Sequence, residues 1–146
     1  MSFGVAGALP WVLPLARAKL PMGAMGAMID AAFVVVCHRM AERTLTIAGV
    51  AMPVCSRCAG IALGFLVGAI VGWPRPSLRA TRIAVVAAGA VMLADVVTQD
   101  LGVHPVWHAT RLATGVLLGA ALSLGLFAII RRERDMRRDS CEARAR

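Results

Sequence analysis

Between residues 106 and 130 the chain carries one charged side chain, Arg111. A helix of that length is about 37 Å long, enough to cross a hydrocarbon core of about 30 Å. Such a run restricts the fold severely. In lipid every backbone N–H and C=O must be satisfied internally, which leaves only helices and closed barrels. The apolar residues here do not alternate with polar ones, so a barrel is excluded. Further apolar runs cover residues 21–36, 59–73 and 83–98, and 59% of the 146 residues are hydrophobic. The expected fold is all-α: a polytopic membrane helical bundle with about four transmembrane helices.

The flanks divide the chain. Residues 1–20 are apolar but interrupted by Pro10 and Pro14, and Arg17 and Lys19 follow the apolar part. A signal peptide places its charge first, so an interfacial or flexible segment is expected instead. Residues 21–130 form the membrane domain, with a Cys/His loop at 37–58. Residues 131–146 read as a basic cytoplasmic tail, frayed or disordered.

The formal net charge of +8 would suggest nucleic acid in a soluble protein. Here no basic stretch is interleaved with stacking aromatics and Tyr is absent, so no nucleic-acid partner is expected. The partner is the lipid bilayer. With spans as above, Arg17, Lys19, the Arg75–Arg82 loop and the Arg-rich tail lie on one side. Arg39, Arg43, Arg57 and Arg111 lie on the other. The positive-inside rule then makes both termini cytoplasmic, in a bacterial or archaeal plasma membrane. The 37–58 loop and the 99–105 loop share the extracytoplasmic face. Asp95, Gln99, His104, His108 and Arg111 therefore belong at the depth of Cys37, His38, Cys55 and Cys58.

Those four ligand-type residues carry the chemistry. Cys55-Ser56-Arg57-Cys58 brings two sulfurs together on a tight turn, and Cys37-His38 can complete a tetrahedral shell suited to Zn²⁺ or another soft metal. Both members of the Cys37-His38 pair can bind one ion only if the preceding helix ends there. A thiol–disulfide pair, Cys55 with Cys58, is the alternative, with Arg57 favouring the thiolate. Haem attachment is disfavoured, because Ala59 stands where His is needed. Cys141, alone in the tail, reads as a free thiol. A membrane enzyme is a third reading: Asp95 or His108 as base, and Arg111 holding an anionic or lipid-like substrate. His104 reads as a loop residue. No reaction is assigned.

Two features bear on packing. Asp30 lies inside the first apolar run and needs a hydrogen-bonding partner there. Gly60, Gly64, Gly68 and Gly72 recur every four residues, leaving one helix edge bare for close approach of another helix. Packing within the bundle is the favoured reading of that edge; a homodimer seam is the other.

The run Cys37-His38-Arg39, Glu42-Arg43, Gly49, Pro53-Val54-Cys55-Ser56-Arg57-Cys58-Ala59-Gly60, Gly64 and Gly68 resembles a family of small membrane proteins, domain of unknown function 2085. Asp95, Gln99, Arg111 and Thr114-Gly115 resemble its second block. The resemblance spans residues 32–120 and implies a multi-span membrane protein. Its marked residues would be Cys37, His38, Arg43, Cys55, Arg57, Cys58, Gly60, Asp95 and Arg111. It implies no settled activity. Thr44-Leu45 stands where the family usually has Ser-Phe, and His108 where it often has Asn.

Overall fold

The computed structural model describes residues 2–20, 22–37, 40–71 and 77–145. In chain order these form α1 (Ser2–Lys19), α2 (Gly23–Val34), β1 (Thr44–Ile47), β2 (Val50–Cys55), α3 (Ser56–Val71), α4 (Leu78–Asp100) and α5 (His108–Ala145). The architecture is mostly helical, as expected, with one two-stranded hairpin that was not.

The centre of the fold is the α3–α5 pair, and glycine spacing explains it. The two helices run parallel in contact: Gly60 faces Leu112 and Gly115, Gly64 faces Val116 and Gly119, and Gly68 faces Ser123. A methyl group on Gly64 would stand 2.7 Å from the Ala120 amide nitrogen, closer than any carbon can sit. The bare edge is thus filled by α5 of the same chain. This corrects the reading of Gly60, Gly64 and Gly68 as a homodimer seam, because no surface is left there for a second copy. Gly72 lies outside the described residues. Ser123, fully buried, donates its hydroxyl to the Phe65 carbonyl at 3.3 Å, closing the lower part of the seam.

α4 packs antiparallel on α5. Its start is capped by Ser77, whose Oγ accepts from the Ala80 N–H at 3.2 Å. Its end is a double turn on Gly102, at φ 72°. The Gly102 N–H reaches the Gln99 carbonyl and the Val103 N–H the Thr98 carbonyl, both at 3.0 Å. Those bonds satisfy carbonyls the helix would otherwise orphan. This turn returns the chain to α5 and fixes Asp95 and Gln99, one helical turn apart, beside the α3–α5 pair.

The fourth helix of the bundle is not where the apolar runs put it. The expected span at 21–36 is α2, only 12 residues and about 18 Å long. It lies mostly exposed at one end of the molecule. The place beside α3 belongs to α1, the segment expected to be interfacial or flexible. Gly7 meets Ala62 and Leu66, and Trp11 donates its indole N–H to the Ala59 carbonyl at 3.2 Å. These contacts make α1 antiparallel to α3. Pro10 and Pro14 both lie inside this continuous helix. A proline removes one rung of a helix but does not abolish it when neighbouring helices hold the segment, and Pro14 is fully buried. Arg17 then ends at the same end of the bundle as α2. Its Nη1 pairs with the Asp30 carboxylate at 3.0 Å and its Nη2 donates to the Gly26 carbonyl at 2.6 Å. Asp30 is therefore compensated by α1 rather than placed deep in a span.

The tail also differs from expectation: α5 continues as helix through the Arg-rich residues to Ala145. Arg, Glu, Met and Ala are strong helix formers, and Glu133 pairs with Arg137 at 2.9 Å one turn on.

Candidate metal centre

The site begins with the hairpin. Thr44-Leu45-Thr46-Ile47 alternates polar and apolar side chains, and Ala48 and Gly49 both take positive φ, 52° and 77°. Two such residues make the tight turn whose twist matches paired strands. The strands pair Ile47 with Val50, Thr46 with Ala51 and Thr44 with Cys55, with an irregularity between Thr44 and Thr46. Pro53, which has no N–H for the ladder, sits in that irregularity. Met52 and Val54 point into a small core with Cys37 and Ala59, against which Trp11, Phe33 and Leu112 pack. β2 thereby delivers Cys55 to the first turn of α3, and Cys58 follows one turn later.

Cys37 arrives from the other side. The chain leaves α2 with the Cys37 N–H bonded to the Phe33 carbonyl at 2.9 Å, and the side chain is buried. The Cys55 N–H donates to the Cys37 Sγ at 3.3 Å. The sulfurs of Cys37, Cys55 and Cys58 all lie within 4.8 Å of one another, and none is in a disulfide. His38 lies outside the described residues.

The three thiols are not equivalent. The Cys55 Sγ accepts from the Cys58 thiol and from the N–H groups of Cys58 and Arg57 at the α3 N-terminus. Together these outweigh burial and bring its pKa down to about 5. Burial pushes the Cys37 thiol up. The site therefore favours a thiolate at Cys55, in the electropositive setting expected of a reactive cysteine.

Next to the sulfurs stands a polar network. Arg57 pairs with Asp95 at 2.6 Å, both side chains largely buried. Arg111, buried on α5, donates its Nε to the Gln99 Oε1 at 2.7 Å. Arg43, Arg57, Asp95 and Cys55 are the charged neighbours that Arg111 senses. His108 lies one turn before Arg111, its Nδ1 buried and without a partner among the described residues. The structure thus brings Cys37, Cys55, Cys58, Asp95, Arg111 and His108 to one end of the bundle. His104 stands apart: both ring nitrogens are engaged at 3.0 Å, by Thr98 and the Pro105 carbonyl, and the ring stacks on Trp107. The direct partners, Arg57 for Asp95 and Gln99 for Arg111, escaped the reading of the sequence.

Comparison with known proteins gives the family. The family described as "Predicted membrane protein (DUF2085)" matches residues 37–124, from the first cysteine of the site to the α3–α5 seam. The chain belongs to this family. It is 33% identical over 101 residues to an uncharacterised protein of Methanothermobacter thermautotrophicus, covering 66% of this chain and 89% of the relative. It is also 33% identical over 93 residues to an uncharacterised protein of Methanocaldococcus jannaschii, covering 61% of this chain and 60% of that relative. No solved structure matches. The family membership accords with the surface. α4 and α5 are each long and apolar enough to cross a membrane, and only 6% of the most apolar stretch of α4 is buried. A core helix of a water-soluble protein would be mostly buried; this one exposes Ile83, Val86, Val91, Leu93 and Val97.

The donor set suits a soft ion. Three thiolates around a tetrahedral Zn²⁺ at about 2.3 Å stand about 3.8 Å apart. The sulfurs of this site lie within 4.8 Å of one another, at most about 1 Å wider than that spacing.

Proposed function

We propose that this protein is an integral membrane protein whose Cys37, Cys55 and Cys58 hold a Zn²⁺-like soft metal, with His38 as the fourth ligand. The observation that carries the reading is the convergence of three sulfurs from two segments of the chain. The metal would clip the end of α2 and the hairpin to the first turn of α3, and burial of Cys37 suits a structural role. Four helices, α1, α3, α4 and α5, would cross the bilayer, with α2 lying at its surface. Both termini then fall at the end away from the cysteines. Arg79 and Arg82 at the start of α4 and the Arg-rich end of α5 make that end the cytoplasmic one, and the metal site extracytoplasmic.

Elemental analysis of the full-length protein purified in detergent tests this reading. One equivalent of zinc or another soft metal is expected in the wild type, and its loss in Cys55→Ser and Cys58→Ser. A wild type free of metal after purification without chelator, and unable to take up Zn²⁺, overturns it.

A thiol–disulfide function is a second reading, favoured by the depressed pKa of Cys55 beside the Cys58 thiol at a helix N-terminus. It requires that Cys55 and Cys58 form and release a disulfide with a partner thiol pair. Alkylation of both cysteines in cells under oxidising and reducing conditions alike would exclude it.

A further inference from the structure

Arg111 is 2% exposed, yet among the described residues its side chain has one hydrogen bond, to a neutral amide. Among the described residues no carboxylate lies within 4.0 Å of Arg111 or of Arg43; Asp95 is taken by Arg57. A buried cation without a counter-ion is expensive, and neighbouring cations make it more so. Arg111 has two, Arg43 and Arg57. Among the described residues, one carboxylate, Asp95, stands against these three guanidiniums. The surplus is positive.

The same cluster has donors to spare. The Nε atoms of Arg43 and Arg57, the Nε2 of Gln99 and the Nδ1 of His108 are all buried, and none has a hydrogen-bond partner among the described residues. Gln99 is itself 9% exposed, with its Oε1 committed to Arg111. Buried donors are rarely left unpaired, and four in one cluster signal a missing acceptor. His108 also opens α5, whose first N–H groups add partial positive charge at this end. Water could accept from individual donors, but it would not compensate the charge.

We propose that this cluster binds a phosphoryl oxyanion, through Arg111 and Arg43 with Gln99 and His108 as further hydrogen-bond donors. A carboxylate has two oxygens for this set; a phosphoryl group offers three and carries about −1.5 to −2 as a monoester near neutral pH. The guanidinium fork matches it. The site lies at the extracytoplasmic rim of the proposed bundle, so the group reaches it either as free phosphate or as a lipid headgroup. Metal is not required for it.

The test uses the full chain in two settings. In uncharged detergent, inorganic phosphate is titrated calorimetrically against chloride at matched ionic strength. In nanodiscs, thermal stability is compared between phosphatidylcholine alone and phosphatidylcholine with phosphatidic acid. Saturable phosphate binding, or a higher melting temperature with phosphatidic acid, is expected in the wild type. Arg111→Gln is expected to weaken the response at least tenfold without lowering the melting temperature of the unliganded protein, because the variant removes an uncompensated charge. If Arg111→Gln does not fold, Arg43→Gln decides, with at least a threefold weakening. A response only to phosphatidic acid identifies the headgroup as source; a response to phosphate in detergent identifies the free ion. Retention of the response in the Cys55→Ser/Cys58→Ser variant separates this site from the metal reading. No response of the wild type to either ligand, or an unchanged response in the folded arginine variants, overturns the proposal.

Discussion

Cys55 owes its low pKa to one neighbour above all, the Cys58 thiol that donates to it. The sign of the consequence is fixed. A thiol depressed from 9.0 to about 5 contributes stability in full above pH 9. The contribution shrinks as the pH falls and is gone below about 5. In the metal-free protein, the pH profile of Cys55 alkylation by iodoacetamide should have its midpoint near 5, and Cys58→Ala should move it up by more than one unit. Mass mapping of the labelled cysteine reads both. The Arg57–Asp95 pair behaves differently. Asp95→Asn leaves a mostly buried guanidinium unpaired and should cost about 3 kcal/mol. Replacing both partners with apolar residues, Arg57→Met with Asp95→Leu, should cost less than half of that. Thermal melts of the single and double variants in one detergent compare them.

For the elements, the decisive contact is that between α3 and α5. Gly64→Val puts a branched side chain against the Ala120 backbone and should destabilise by at least about 3 kcal/mol or prevent folding. Gly89, in the middle of α4, has nothing within 4 Å of an added methyl. Gly89→Ala should therefore be neutral or gain up to about 1 kcal/mol, since alanine is the better helix former. Yield and thermal stability in detergent separate the two. The contrast distinguishes a glycine required by close packing from one that merely lies in a helix. The hairpin has the same dependence on local chemistry: Ala48 and Gly49 sit at positive φ, and only the turn they make aligns β2 so that Cys55 reaches Cys37.

At the scale of the whole molecule, the pairing of α1 with α3 sets which ends meet. It places Arg17 and α2 at the cysteine end and both termini at the other. The proposed orientation predicts a labelling pattern. In cells expressing a Cys37→Ser/Cys55→Ser/Cys58→Ser background, a membrane-impermeant maleimide should fail to reach Cys141 until the cells are permeabilised. In the same background with Cys141→Ser, Gly102→Cys should label from outside. The reverse pattern would invert the protein in the membrane.

Several things were legible from residues alone. The helical, lipid-compatible class follows from apolar runs too long and too regular for other structure. The glycine period marks a close helix contact, because a missing side chain is a local fact. The grouping of Cys55 with Cys58 follows from spacing on a turn. Tertiary structure decided the rest. Hydropathy favoured residues 21–36 over α1 because the prolines of α1 weaken it as an isolated helix, whereas packing on Ala59, Ala62 and Leu66 holds it in place. The glycine edge did not say which helix fills it; α5 does. The partners of Asp95 and Arg111 stand 38 and 12 residues away, and no spacing rule reaches that far. Composition and period report what a segment can bury, but only the assembled bundle determines which buried charges meet: Arg57 pairs with Asp95, while Arg111 is left to the Gln99 amide.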